Sequence, residues 1–120
     1  MQIRLGASSG DGWRIERRGS AGEAPVVTHV VIFTWLAGVT PTHVAALSEE
    51  LARMAADLCE LGSIRHGRDL AFREGNGDYA LVATFPDKAG WSAYQAHPRH
   101  QAFVRDFVTP LQASRLTIQF

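Results

Sequence analysis

The fold of this chain is decided by one apolar segment, Thr28-His29-Val30-Val31-Ile32-Phe33-Thr34-Trp35. Its β-branched and aromatic side chains are typical of a β-strand. A strand that buries a single face alternates apolar and polar residues, whereas here Val30 and Ile32 are as apolar as the residues between them. We therefore expect both faces of this strand to be covered.

A helix is predicted after this strand. Thr40 is a favourable N-cap, and Pro41 is favourable at the first helical position. Apolar residues then recur at steps of three and four, which predicts one buried stripe on an amphipathic helix that ends at Gly62. The stripe consists of Val44, Leu47, Leu51, Met54 and Leu58.

Two strands, a broken helical stretch and a last strand follow. Residues 64–72 and 79–85 are predicted as strands, and residues 115–120 alternate as a strand does. Helix is disfavoured at His97 because proline follows it, so the helical stretch should be broken at His97-Pro98. Beyond the break, Phe103 and Phe107 should share one face of the helix.

The order β-α-β-β-α-β is the split βαβ, ferredoxin-like arrangement, an α+β fold with helices on one face of an antiparallel four-stranded sheet. The other face would carry Val30, Ile32, Ala80 and Val82, and an exposed apolar surface of this kind marks an interaction site. We expect a second copy to cover it, which gives a homodimer in the form of a dimeric α/β barrel. The alternative is that a long loop or an N-terminal hairpin covers it.

Length and composition limit the remaining possibilities. The 120 residues suit one domain, and we place the core domain over residues 27–120. Residues 1–26 form an N-terminal extension, which we interpret as a β-hairpin plus linker or as a disordered tail. Twelve basic residues balance twelve acidic ones, which gives no reason to expect nucleic acid or membrane as a partner. The single cysteine, Cys59, excludes an internal disulfide. We expect a cytoplasmic protein.

Several motifs of the core resemble one known family, the Dabb or stress-responsive A/B barrel domains. The most diagnostic is Tyr94-x-x-His97-Pro98-x-His100-x-x-Phe103, and the early histidine of the strand over residues 28–33 and the sequence His66-Gly67-Arg68-Asp69 are also similar to the family. The resemblance extends over residues 27–120. It implies the ferredoxin-like fold, a homodimer and an apolar pocket for a small molecule.

Plant polyketide cyclases of that family close a linear poly-β-keto chain by aldol chemistry without metal or organic cofactor. By this resemblance, Tyr94 and His100 would be the catalytic pair and His29 would line the pocket. Tyr79 stands where such a cyclase carries a pocket histidine. The other residues expected to contact the substrate are Phe33, Trp35, Trp91, His97 and Phe103.

The residue types support acid/base chemistry. A histidine in the first turn of a helix, as expected for His100, is kept neutral by the helix dipole and can act as a base. The phenol of Tyr94 is a suitable hydrogen-bond donor to a developing enolate. Each residue also has a structural interpretation, Tyr94 as a core tyrosine and His97 as a partner of backbone groups at the helix break. The spacing of His97 and His100 permits a metal, but no third ligand is evident, and we expect none.

Three functions fit this sequence. The first is a cofactor-free acid/base enzyme, a cyclase or lyase, acting on a ketide-like or aromatic small molecule. The second is a cofactor-independent monooxygenase of the same architecture, and the third is a non-catalytic barrel that binds a ligand. The Tyr94 and His100 pair favours the first, because fold alone does not select a function.

Overall fold

The computed structural model describes residues 2–5, 13–16 and 26–120. In chain order its elements are β1 (Gln2–Leu5), β2 (Trp13–Glu16), β3 (Val27–Trp35), α1 (Pro41–Asp57), β4 (Ser63–Arg68), β5 (Tyr79–Phe85), α2 (Lys88–Ala96), α3 (Pro98–Phe103), a π-helical turn (Val104–Val108) and β6 (Gln112–Gln119). β1 and β2 pair antiparallel, with Gln2 opposite Glu16. The predicted linker lies outside the described residues.

Four strands form one antiparallel sheet in the order β4-β5-β3-β6. This order and the three helices confirm the predicted ferredoxin-like fold. On the inner face of the sheet, alternate residues of β3 and β5 are buried beneath the helices, among them Val31, Phe33, Leu81 and Phe85. None of the helices among the described residues is long and apolar enough to cross a membrane.

Helix α1 begins where the sequence predicts and ends earlier. The Thr40 hydroxyl accepts a hydrogen bond from the His43 backbone, while His43 Nδ1 accepts one from Thr40 N, which forms a capping box. The helix ends at Asp57, so the prediction that Gly62 ends it is wrong. Gly62 lies instead against the backbone carbonyl of Thr84, where any Cβ would overlap that oxygen.

The second strand of the core, β4, is also shorter than predicted. It ends at Arg68 and does not reach Phe72. The reason is a turn in which the Asp69 carboxylate accepts hydrogen bonds from Ala71 N and from the Asn76 amide. This side chain competes with the strand ladder and directs the chain away from the sheet.

The outer face of the sheet is apolar, as predicted. Val30, Ile32, Ala80 and Val82 point away from the helices, because their neighbours in the strands are the buried residues. β6 adds Leu116 and Ile118, which pair with Ile32 and Val30 and are 75% and 58% exposed. We refer to these six residues as the outer apolar face.

Candidate functional site

A cavity of about 150 Å³ lies between the inner face of the sheet and the broken helical stretch. Most of the residues predicted for a site line it, and they come from β3, α2 and α3. They are His29, Phe33, Trp91, Tyr94, His100 and Phe103. The cavity is mainly apolar with a few polar groups, which is typical of a small-molecule site.

The break in the helical stretch brings Tyr94 and His100 together. Tyr94 lies in the last turn of α2 and His100 in the first turn of α3, while His97 between them is extended, with φ −67° and ψ 131°. The two rings pack with their centroids 4.2 Å apart. Burial raises the pKa of the Tyr94 hydroxyl far above its ordinary value, so the phenol stays protonated and can donate a hydrogen bond.

The surroundings of His100 favour its neutral form. Burial lowers the pKa of His100, and a hydrogen bond with the Gln95 backbone acts in the opposite direction. The charges of His29, Arg115 and His97 lower it further. Its Nδ1 atom is buried and has no hydrogen-bond partner among the described residues.

His29 forms another polar part of the wall and is 5% exposed. Its Nδ1 accepts a hydrogen bond from Gln119 Nε2 at 2.8 Å. Its ring centroid lies 6.3 Å from that of Trp91 and 6.4 Å from that of Tyr94. Burial lowers the pKa of His29, and the charge of Arg115 lowers it further, so this imidazole is also neutral near pH 7.

His97 does not line the cavity and instead stabilises the helix break. Its Nδ1 accepts a hydrogen bond from Arg99 N at 3.0 Å, which caps α3. The Arg99 guanidinium pairs with Glu50 at 2.6 Å and with Asp57 at 3.0 Å, and so ties the break to α1. Among the described residues, no three His, Cys, Asp or Glu side chains lie together in a way that could hold a metal ion.

Two other residues predicted to contact substrate, Trp35 and Tyr79, also lie outside the cavity. Trp35 stacks on Phe33 with ring centroids 5.4 Å apart, further along β3. The Tyr79 hydroxyl lies 2.6 Å from His66 Nδ1, and Tyr79 lines a separate cavity of about 270 Å³ beside α1. Burial raises the pKa of Tyr79, and a hydrogen bond with Ser48 opposes the rise. The structure therefore separates these side chains from Tyr94 and His100.

The sequence did not predict that β6 contributes to the cavity, yet three polar residues of this strand line it: Arg115, Thr117 and Gln119. They alternate with Leu116 and Ile118, which lie on the outer apolar face. This alternation of polar and apolar residues could have indicated which face of β6 lies beside the helices. If a partner covers the outer face, the apolar residues of β6 belong on that face and its polar residues belong beside the helices.

Comparisons with known proteins agree with this fold. The model of the Dabb family, the stress responsive A/B barrel domain, matches residues 27–120. A protein of Thermobifida fusca, described as a dimeric ferredoxin-like protein of unknown function, is 35% identical with a TM-score of 0.73, over 79% of this chain and 89% of that one. No protein of curated function matches the sequence.

Two enzymes share the fold at low sequence identity. A hydroxynitrile lyase of Passiflora edulis has a TM-score of 0.70 and 14% identity, over 82% of this chain and 94% of that one. A cofactor-independent oxygenase of Streptomyces nogalater has a TM-score of 0.60 and 20% identity, over 79% of this chain and 90% of that one. At these identities the likeness concerns the fold alone, and it shows that the fold supports catalysis in those proteins.

Proposed function

The chain belongs to the Dabb family of stress responsive A/B barrel domains, and on that premise we propose that it is an acid/base enzyme acting on a small ketide-like or aromatic molecule. The proposed reaction is removal of a proton from a carbon next to a carbonyl, followed by ring closure. The observation that carries this proposal is the packing of the Tyr94 and His100 rings, 4.2 Å apart, on the wall of one cavity.

Each partner has the protonation state that its role requires. The imidazole of His100 takes the proton from the carbon, since a lowered pKa keeps the ring unprotonated at neutral pH. The protonated hydroxyl of Tyr94 donates a hydrogen bond to the carbonyl oxygen, on which negative charge develops as the enolate forms. The enolate carbon then forms a bond to a second carbonyl carbon, and the imidazolium returns its proton to the new alkoxide.

The proton-abstraction step can be tested without the natural substrate. Acetophenone is a suitable probe, because exchange of its methyl protons for deuterium reports enolisation and is followed by NMR. We expect the protein to accelerate this exchange, and His100→Gln to slow the catalysed rate by about 10²–10⁴-fold, the usual contribution of a general base. Tyr94→Phe keeps the ring packing and should slow it by about 10²–10³-fold.

His43→Gln is the matched control for the histidine variant. His43 is exposed at the start of α1, and glutamine can keep its capping hydrogen bond, so exchange should proceed as in the wild type. Exchange that is equally fast in wild type, His100→Gln and Tyr94→Phe would contradict the proposal. It would then favour a barrel that binds its ligand without catalysis.

We also propose that two copies of the chain pair through the outer apolar face. The similar protein of Thermobifida fusca is described as dimeric, which supports this pairing. Leu116, Ile118 and Ile32 are exposed together on one side of the sheet, where a two-fold contact would bury them.

A further inference from the structure

Arg115 is a charged group of the cavity that the proposed reaction does not use. It lies on the inner face of β6 opposite Phe33, and it lines the cavity together with His29 and His100. Within the part of the chain that the structure describes, Arg115 forms no ion pair. Arg99, by contrast, is held by two carboxylates.

Arg115 lines the same cavity as His29 and His100, and its positive charge lowers the pKa of both histidines. Among the residues that the structure describes, no Asp or Glu side chain lines the cavity. A guanidinium beside two imidazoles, without a nearby carboxylate, makes a cavity that favours an anion.

The size of the cavity limits what can be enclosed. A cavity of about 150 Å³ holds a molecule of roughly the size of benzene. One ring or one short chain fits this space, whereas a long poly-β-keto chain would be enclosed only at one end.

From the position of Arg115 and this volume, we propose that the substrate is a small enolisable carboxylate, with its carboxylate bound by Arg115 and its reacting carbon beside His100. Only the placement of the reacting carbon beside His100 rests on the proposed function. The carboxylate site is inferred from the residues that line the cavity and from their charges. Arginine is suited to this role because its planar fork can donate two parallel hydrogen bonds to one carboxylate.

The test compares benzoate with its neutral relative benzamide by isothermal titration calorimetry at neutral pH. We expect the wild-type protein to bind benzoate more tightly than benzamide. Arg115→Gln should weaken benzoate binding by about tenfold or more, the loss expected for a hydrogen-bonded charge, and should leave benzamide binding unchanged. Arg115→Lys keeps the positive charge but lacks the planar fork, so its affinity for benzoate should lie between those of wild type and Arg115→Gln.

Arg73→Gln serves as the control, because Arg73 is exposed outside the cavity and its loss should change neither affinity. Benzoate affinity that is the same in wild type and Arg115→Gln would overturn the inference. So would wild-type protein that binds benzoate no better than benzamide, or that does not bind it at millimolar concentration. A protein that binds benzoate through Arg115 but fails the exchange assay refutes the proposed reaction and leaves the carboxylate site intact.

Discussion

Replacing Ile118 with glutamate should separate the proposed dimer. Ile118 is 58% exposed on the outer apolar face, and full burial of such a side chain contributes about 1.5–3 kcal/mol. Completing its burial in a dimer is therefore worth about 1–2 kcal/mol per copy, and a two-fold interface contains two copies. Ile118→Glu should lose about 2–4 kcal/mol of association free energy, a 30- to 1000-fold weaker dimer. The cost of burying a carboxylate adds to this loss.

Sedimentation equilibrium over a range of protein concentrations measures this change directly. We expect wild-type protein at twice the protomer mass and Ile118→Glu at the protomer mass at the same concentration. Ala52→Glu is the control, since it adds the same charge on the exposed side of α1, away from the outer apolar face. Two outcomes would refute the reasoning: a wild-type chain that sediments as a single protomer, or an Ile118→Glu variant that sediments as a dimer.

Three further predictions concern stability and are measured by urea unfolding. Met54→Ala should cost about 2–5 kcal/mol, because Met54 is fully buried and its loss leaves a cavity. Gly62→Ala should lower the midpoint concentration of urea, since its Cβ would overlap a backbone carbonyl of β5. Burial lowers the pKa of His29, His66 and His100, so the unfolded chain binds their protons at a higher pH than the folded one. The stabilisation that comes from these neutral histidines should therefore be fully present above about pH 6.5. The free energy of unfolding should fall as the pH drops toward the folded-state pKa values. A flat profile between neutral pH and pH 5 would contradict this reasoning.

Features with a local cause could be predicted from the sequence. Thr40 and Pro41 begin α1, and the extended residue before Pro98 breaks the helical stretch, because both effects act on neighbouring backbone groups. The same break brings Tyr94 close to His100, so this part of the candidate site could be predicted from the sequence.

The π-helical turn at the end of the broken helical stretch was not predicted. A π-helical turn follows α3, with Thr109 N donating to Val104 O at 2.8 Å, and no local pattern marks it. The turn changes the helical phase by adding one residue. Phe107 still stacks on Phe103 as the sequence predicts, with ring centroids 6.1 Å apart, but Val108, 1% exposed, is buried more completely than Phe107.

The orientation of β6 shows a second limit of sequence patterns. An alternating strand shows that its two faces differ, but not which face is turned inward. The usual rule places apolar residues inside, and for Leu116 and Ile118 this rule fails, because they lie on the outer apolar face. Arg115 consequently faces the cavity, and the alternation alone does not predict this position.

The two faces of β6 cannot be changed independently. A slip of one residue against β3 would exchange Arg115 with Leu116, which would remove the charge from the cavity and an apolar side chain from the outer face. His29 and Gln119 stand opposite each other in the two strands, and their side chains are hydrogen-bonded at 2.8 Å across that pair. This bond is made only in the observed register. One buried histidine therefore contributes to the cavity wall and, through Gln119, holds β6 in the register on which both the cavity and the proposed dimer surface depend.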